Sequence, residues 1–245
     1  MLKIALNAGH YLYTAGKRCL KSLDKNETRE WTLNDRICDK VEKKLTAYTD
    51  YELIRIDDTT GKTDKSVEKR AAQANEFGAD IYVSVHHNAG INGGNGGGVM
   101  AYTYTKVDDT TRRLQKLLYD KIIAKTRLKG NRVTPLSTAN FAECRLTRMP
   151  AVLLECGFMD SSVDVPIILS EDFAEKTAEA IVEAIAEFGN LAKVPSTTPP
   201  VTAPTGDSAE KMYYVQAGAF KVKANAEALA AKLKAAGFNA IIKVN

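Results

Sequence analysis

Two runs of consecutive apolar residues set the pattern of this chain: Lys3-Ile-Ala-Leu-Asn-Ala-Gly-His10 and Asp80-Ile-Tyr-Val-Ser-Val-His-His-Asn-Ala89. Runs of this length, rich in β-branched residues and bounded by Gly or Asn, predict buried and mostly parallel strands. A half-exposed segment would show polar residues at regular intervals. Tyr51 to Ile56, Val99 to Tyr104 and Ala151 to Phe158 add further strands. Between them the apolar spacing changes to helical. Leu33, Ile37, Val41 and Leu45 make a stripe along a helix from Glu30 to Thr46, and Ser66 to Phe77 is a second helix closed by Gly78. Leu114, Leu117, Leu118 and Ile122 mark a third helix over Asp108 to Lys125, followed by an irregular polar stretch up to Pro150. Ser170 caps a last helix, with Glu171 and Asp172 in its first turn facing the positive end of the helix dipole. Strands alternating with helices predict an α/β domain over residues 1–190, with a mostly parallel or mixed sheet flanked by helices.

Three stretches break the rhythm. Tyr11 to Arg29 is polar, Lys-rich and too long for a tight turn, and loops of that length are usually functional or mobile. Asn88 to Gly98 is so rich in glycine that it reads as a floppy hairpin connection rather than a ligand cradle, and no GxxxxGK[ST] phosphate loop is present. Over residues 191–210 the composition turns to Pro and Thr, which cannot bury a core and predicts an extended linker. Beyond it, residues 211–245 form a small module. Met212 to Phe220 reads as a strand, Lys223 to Ala236 as a helix and Phe238 to Val244 as a second strand, a unit too small to stand alone without a partner.

Composition narrows the class. With 245 residues, 44% hydrophobic and 26% charged, the chain is ordinary globular protein. Its apolar runs fall well short of the roughly 18 residues of a membrane span, so no membrane insertion is expected. The N-terminus enters the first strand directly, with no signal-peptide pattern, which predicts synthesis in the cytoplasm. A net charge of +4 is mild, and no basic cluster with interleaved aromatics points to nucleic acid. Cys19, Cys38, Cys144 and Cys156 lack CxxC spacing and read as free thiols, Cys156 as a packed hydrophobe.

The chemistry gathers at the strand ends. His10 and His86 each close a strand, at the sheet edge where α/β folds bind ligands. Glu155 interrupts the apolar run Val-Leu-Leu-Glu-Cys-Gly-Phe, where a carboxylate costs several kcal/mol unless it is paired, bound to metal or at an open end. By strand alternation His86 and His87 face opposite sides of the sheet, so only one can join His10; His86 is preferred, and His87 reads as a surface or supporting residue. Catalytic zinc sites commonly take three protein ligands and keep a position for water. The third ligand is best supplied by Glu30, at the start of the first helix, with Glu27 as its neighbouring competitor.

In this order, Asn7-Ala-Gly-His10, Glu30-Trp-Thr-Leu-Asn34, Ser84-Val-His86-His-Asn88 and Pro150-Ala-Val-Leu-Leu-Glu155-Cys-Gly-Phe158 resemble the zinc-dependent N-acetylmuramoyl-L-alanine amidases of the amidase-3 type. The resemblance spans residues 1 to 189. It implies Zn2+ held by His10, Glu30 and His86, with Glu155 as the catalytic acid/base. It also implies hydrolysis of the amide joining N-acetylmuramic acid to L-alanine in peptidoglycan. One departure stands out: Tyr11 occupies the place of the usual second glycine after the first histidine.

The tail, from Tyr213-Tyr-Val-Gln216-Ala-Gly218-Ala-Phe220 to Gly237-Phe238, looks like the first half of a SPOR domain, a peptidoglycan-binding module. One strand-helix-strand unit stands where that family has two, so either the chain is truncated or two copies associate through it. A catalytic domain, a Pro/Thr linker and a wall-binding tail without a leader resemble a phage or prophage endolysin acting at the bacterial cell wall. A host autolysin is the alternative source. The competing functions are another zinc peptidase of the peptidoglycan stem and a non-catalytic wall-binding protein with an amidase-like fold.

Overall fold

The computed structural model describes residues 1–194, 220, 222–235 and 240–242. The chain divides into two units, Met1–Ser196 and Thr197–Asn245.

In the first unit the elements run β1 (Leu2–Ala8), α1 (Glu30–Leu45), β2 (Tyr51–Arg55), α2 (Val67–Phe77), β3 (Ile81–Asn88), β4 (Val99–Thr103) and α3 (Asp109–Thr126). They continue with β5 (Leu136–Thr138), α4 (Ala142–Leu146), β6 (Ala151–Phe158), α5 (Val165–Ile168) and α6 (Glu171–Gly189). The strands form one six-stranded sheet in the order β2-β1-β3-β6-β4-β5. β1 lies parallel between β2 and β3, and β3 lies parallel to β6. β4 is antiparallel to β6 and carries β5 parallel to itself, so the sheet is mixed. The C-terminal ends of β1, β3 and β6 therefore lie side by side.

Both faces of the sheet are covered, which is why β1, β3 and β6 read as continuous apolar runs. On one face Val83, Val85, Val152 and Leu154 pack with Leu33, Ile37 and Val41 of α1, Leu114 and Leu118 of α3, and Ile181 and Ile185 of α6. On the other, Ala5, Tyr82 and Leu153 pack with Ala74 of α2 and Cys144 of α4. Each buried Leu, Ile or Val adds about 1.5–3 kcal/mol, so the sheet edge is a rigid base for whatever its loops carry.

Local signals set the element ends. Ser66 accepts the Lys69 N–H at the start of α2, and Gly78, with φ 67°, closes it in the left-handed conformation that glycine takes without strain. Asp108 and Ser170 cap α3 and α6 in the same manner, through the N–H groups of Thr111 and Phe173. The stretch expected to be irregular before Pro150 holds β5 and α4, too short for periodicity to reveal. All four cysteines are free and buried, and burial pushes the Cys19 and Cys144 thiols up to about 12.

The long segment between β1 and α1 is well pinned. Asp24 accepts the N–H groups of Asn26 and Thr28, Cys19 N–H donates to Thr28 O, and Leu20 N–H donates to Met159 O. Nor is the glycine-rich connection floppy. Asp160 Oδ2 accepts the N–H groups of Gly90, Ile91 and Asn92 at 2.7–2.8 Å, and Asp164 Oδ2 accepts that of Gly98 at 2.7 Å. Two aspartates following β6 thus fix a loop whose own side chains cannot.

In the second unit the described residues include one helix, α7 (Lys223–Ala235), where the sequence predicts one. The strands expected over residues 212–220 and 238–244 and most of the linker lie outside the described residues, apart from Phe220 and 240–242. Among the described residues, no helix is long and apolar enough to cross a membrane.

Candidate metal centre

The site is built where β1 and β3 end together. Their register pairs Ala8 with Val85, and Gly9 N–H donates to Val85 O at 2.9 Å, so His10 and His86 leave the sheet as neighbours. Their rings meet edge to face with centroids 4.9 Å apart. Gly9 is what permits this approach: a Cβ there would lie 2.1–2.4 Å from three ring atoms of His86. His10 itself adopts φ 66°, an uncommon conformation for a residue with a Cβ. The fully buried Arg70 secures that turn by donating to the carbonyl oxygens of Ala8 and His10.

Glu30 enters from the first turn of α1. It is completely buried, and its Oε1 lies 3.3 Å from His10 Nε2 and 3.2 Å from His86 Nδ1. The same oxygen accepts the His87 N–H at 3.1 Å, while Oε2 lacks a hydrogen-bond partner and faces the Lys17 ammonium at 3.6 Å. Burial alone would raise the pKa of Glu30, but the bonds and charges of His10 and His86 outweigh it and hold the carboxyl well below its usual range. Burial would likewise push His86 down, yet carboxylates of Glu143 and Glu30 on either side of the ring push it up to about 10. A ring so placed between two anions marks a spot where positive charge is stabilised.

These observations test whether a metal ion fits. Ligand atoms of His10, Glu30 and His86 all lie within 4.8 Å of one another. Separations of 3.2 and 3.3 Å from Glu30 Oε1 are close to the edge of a tetrahedron with metal–ligand bonds of about 2.0–2.1 Å. Two imidazoles and a carboxylate are a donor set that zinc takes in catalytic sites, and the His10 side chain, 21% exposed, leaves one side open. The residues present fit the ion.

Glu155 sits one strand over. In β6 it is paired in register with His86, and with Met100 of β4 on its other side. Its Oε2 is buried without a partner, and burial first, then the Glu30 and Glu143 charges, push the carboxyl up to about 7 against the opposing pull of His86 and Lys17. A carboxyl of that affinity both takes up and releases a proton near neutrality. It is not among the three clustered ligands.

Other sequence expectations are redirected. Glu27 turns outward to ion pairs with Arg18 and Lys21, so it does not compete with Glu30. His87 is no surface residue: it is buried, burial pushes it down to about 3, and its neutral ring lies 2.8 Å from Asn34 Oδ1. Asn34 in turn donates to Gly9 O, so His87 braces the turn that carries His10. Tyr11 stacks edge to face against Tyr13 at the mouth of the long loop. Burial keeps the Cys156 thiol protonated, far above its usual range.

Sequence reasoning missed Glu143, Arg70, Asn7 and Lys17. Asn7 and Ser84 left a legible trace, as polar interruptions at matching places in two apolar strands. Glu143 left none, because a five-residue helix shows no period.

The chain is similar to known proteins along most of its length. A family profile described as N-acetylmuramoyl-L-alanine amidase matches residues 4–187, and one described as SPOR domain matches residues 209–245. The amidase CwlM of Bacillus licheniformis is 33% identical over 177 residues, 72% of this chain and 62% of that protein. The endolysin of Bacillus phage SPP1 is 36% identical over 124 residues, 51% of this chain and 45% of its own. Among solved structures, an N-acetylmuramoyl-L-alanine amidase from Clostridium difficile 630 superposes with a TM-score of 0.69 at 26% identity, covering 77% of this chain and 97% of that one. The chain thus spans about 62% of the length of curated amidases it matches.

Proposed function

Because this chain belongs to the N-acetylmuramoyl-L-alanine amidase family, we propose that it hydrolyses the amide between the lactyl group of N-acetylmuramic acid and the L-alanine of the peptidoglycan stem. The observation that carries this reading is the cluster of His10, Glu30 and His86 at the common end of β1 and β3, with Glu155 beside it on β6.

His10 Nε2, Glu30 and His86 Nδ1 would hold a zinc ion. When bound, zinc supplies Lewis acidity to the scissile carbonyl and the attacking water. Glu155 manages the protons. Its carboxylate takes one proton from the water as the new C–O bond forms, then delivers it to the alanine nitrogen as the C–N bond breaks. The products are a lactyl carboxylic acid, which loses its remaining proton to solvent, and a free alanine amine, and Glu155 returns to its starting carboxylate. Burial of Glu155 suits it to both transfers, since a carboxyl of ordinary acidity would be a poor proton donor to an amine near neutrality. Arg70, His87 and Asn34 keep the backbone of residues 8–10 in place during the reaction.

The tail, similar to a SPOR domain, would bind glycan strands and keep the catalytic unit at the wall. The endolysin among the relatives supports a lytic role as the finer reading. Association of two copies through the tail finds no support and is not part of this proposal.

Digestion of purified cell walls tests the activity. With zinc-loaded protein, turbidity should fall, and new N-terminal alanine should appear in proportion; chelation should stop both and zinc should restore both. New N-termini of another residue would make the protein a stem peptidase, and new reducing sugar ends without alanine amines would exclude amide hydrolysis.

A further inference from the structure

We infer that Glu143 is the positioning residue of His86, accepting its Nε2–H so that the Nδ1 lone pair is the one aimed at the metal centre. This rests on the three-ligand reading above and assigns a role to a residue that the reading leaves unused.

An imidazole that coordinates through Nδ1 must carry its proton on Nε2, and a metal-bound histidine usually gives that proton to a carboxylate or carbonyl. In this site His86 Nδ1 is the atom turned toward Glu30 Oε1, at 3.2 Å. His86 Nε2 is buried and without a hydrogen-bond partner. What it faces is Glu143 Oε1, 3.5 Å away. Leaving a buried N–H bare is costly, and leaving it beside an anion it does not use would be more so.

Glu143 has its Oε1 atom placed for that task. It projects from α4 to the sheet face that holds Tyr82, Ser84 and His86, since alternate residues of β3 point that way. Its second oxygen is fully occupied, accepting from Asn7 Nδ2 and Tyr82 Oη, each at 3.2 Å. Asn7 also donates to Ser84 Oγ at 2.9 Å and receives the Arg70 guanidinium on its own Oδ1 at 2.7 Å. Arg70 donates to the carbonyl oxygens of Ala8 and His10 as well. One buried guanidinium therefore steadies both histidines, His10 through its backbone and His86 through Asn7 and Glu143. Glu143 is not among the three clustered ligands; it faces the far nitrogen of the ring, where its charge makes Nδ1 a better donor.

The test uses the full chain, labelled with 15N-histidine and loaded with zinc. Three histidines make the long-range imidazole spectrum simple to assign, with His10→Ala as a reference. His86 should show a protonated Nε2 and a metal-bound Nδ1. Glu143→Gln keeps the shape, and should bind zinc ten- to a hundredfold more weakly in competition with a chromophoric chelator, with the Nε2 resonance displaced. Glu143→Asp, which retains the charge but falls short of the ring, should weaken zinc as well. A metal-bound Nε2 in the wild-type spectrum overturns the inference, as does zinc affinity within twofold of wild type in both variants. The wild-type spectrum decides alone if either variant fails to fold. Should the wild-type chain take up no zinc, the three-ligand reading falls with it; normal zinc uptake with indifferent variants removes Glu143 only.

Discussion

Replacing Gly9 with alanine should abolish the metal centre while sparing the fold. The added methyl would sit 2.1–2.4 Å from Cε1, Nε2 and Nδ1 of His86, where ordinary contact begins at 3.4 Å. The ring must therefore retreat by about 1 Å or more, several times the about 0.2 Å within which metal–ligand distances hold. Glu30 stands on one side of the ring and Glu143 on the other, so the retreat breaks the ligand set. The backbone at Gly9 does not resist alanine, because its φ is not positive and its N–H bond to Val85 and its carbonyl bond from Asn34 remain available. Overpacking of this kind costs about 1–3 kcal/mol in stability, a loss a domain of this size survives. Zinc affinity should drop at least a hundredfold and wall lysis with it, while the circular dichroism spectrum stays native and the melting point falls by several degrees. Equilibrium dialysis against buffered zinc, run beside thermal denaturation, reads both quantities. A folded Gly9→Ala protein with wild-type zinc affinity would refute the claim that the His86 ring, as placed here, is a ligand.

Two further outcomes follow from other parts of the site. Glu155→Gln removes the proton carrier but no ligand, so zinc content by elemental analysis should stay near that of wild type while alanine release slows by about 10²–10⁴-fold; near-native turnover would take Glu155 out of the mechanism. Asp160→Ala leaves three loop N–H groups without their acceptor, two of them exposed enough for water to replace it, and should cost about 0.5–1.5 kcal/mol. It should also open residues 88–98 to limited proteolysis, whereas unchanged resistance would mean the loop is held by something other than this carboxylate.

What the sequence makes legible here is governed by how a residue breaks its local rule. His10, His86 and Glu155 are polar residues in apolar strand runs, so their cost is visible without coordinates, and the topology that joins the strand ends does the rest. Glu30 is visible as the acidic residue opening a clear helical stripe. Glu143 breaks no rule: it lies in a short polar segment, and only the packing of α4 against the sheet makes it buried. Sequence leaves His87 open between a surface and a supporting residue for the converse reason, since alternation tells which face a residue takes but not that α1 covers that face as far as Asn34. The two polar loops looked mobile because their anchors, Asp24 within one and Asp160 and Asp164 beyond the other, act through backbone N–H groups, which sequence does not rank. Reversal of β4 against β6 was likewise open, because a buried strand reads the same in either direction.

The parallel pairing of β1 with β3 has a consequence for how the protein is made. The two histidines and the glutamate come from three separate stretches of chain, and His86 joins the other two only once residues 2–8 and 81–88 have found their register. A slip of one residue would send His86 to the opposite face. An ion that requires all three ligands therefore binds the finished domain and none of its pieces, and it stabilises that domain by about 2.7 kcal/mol when free metal stands at a hundred times its dissociation constant. On the proposed zinc reading, metal supply would then act on the abundance of this protein as well as on its rate.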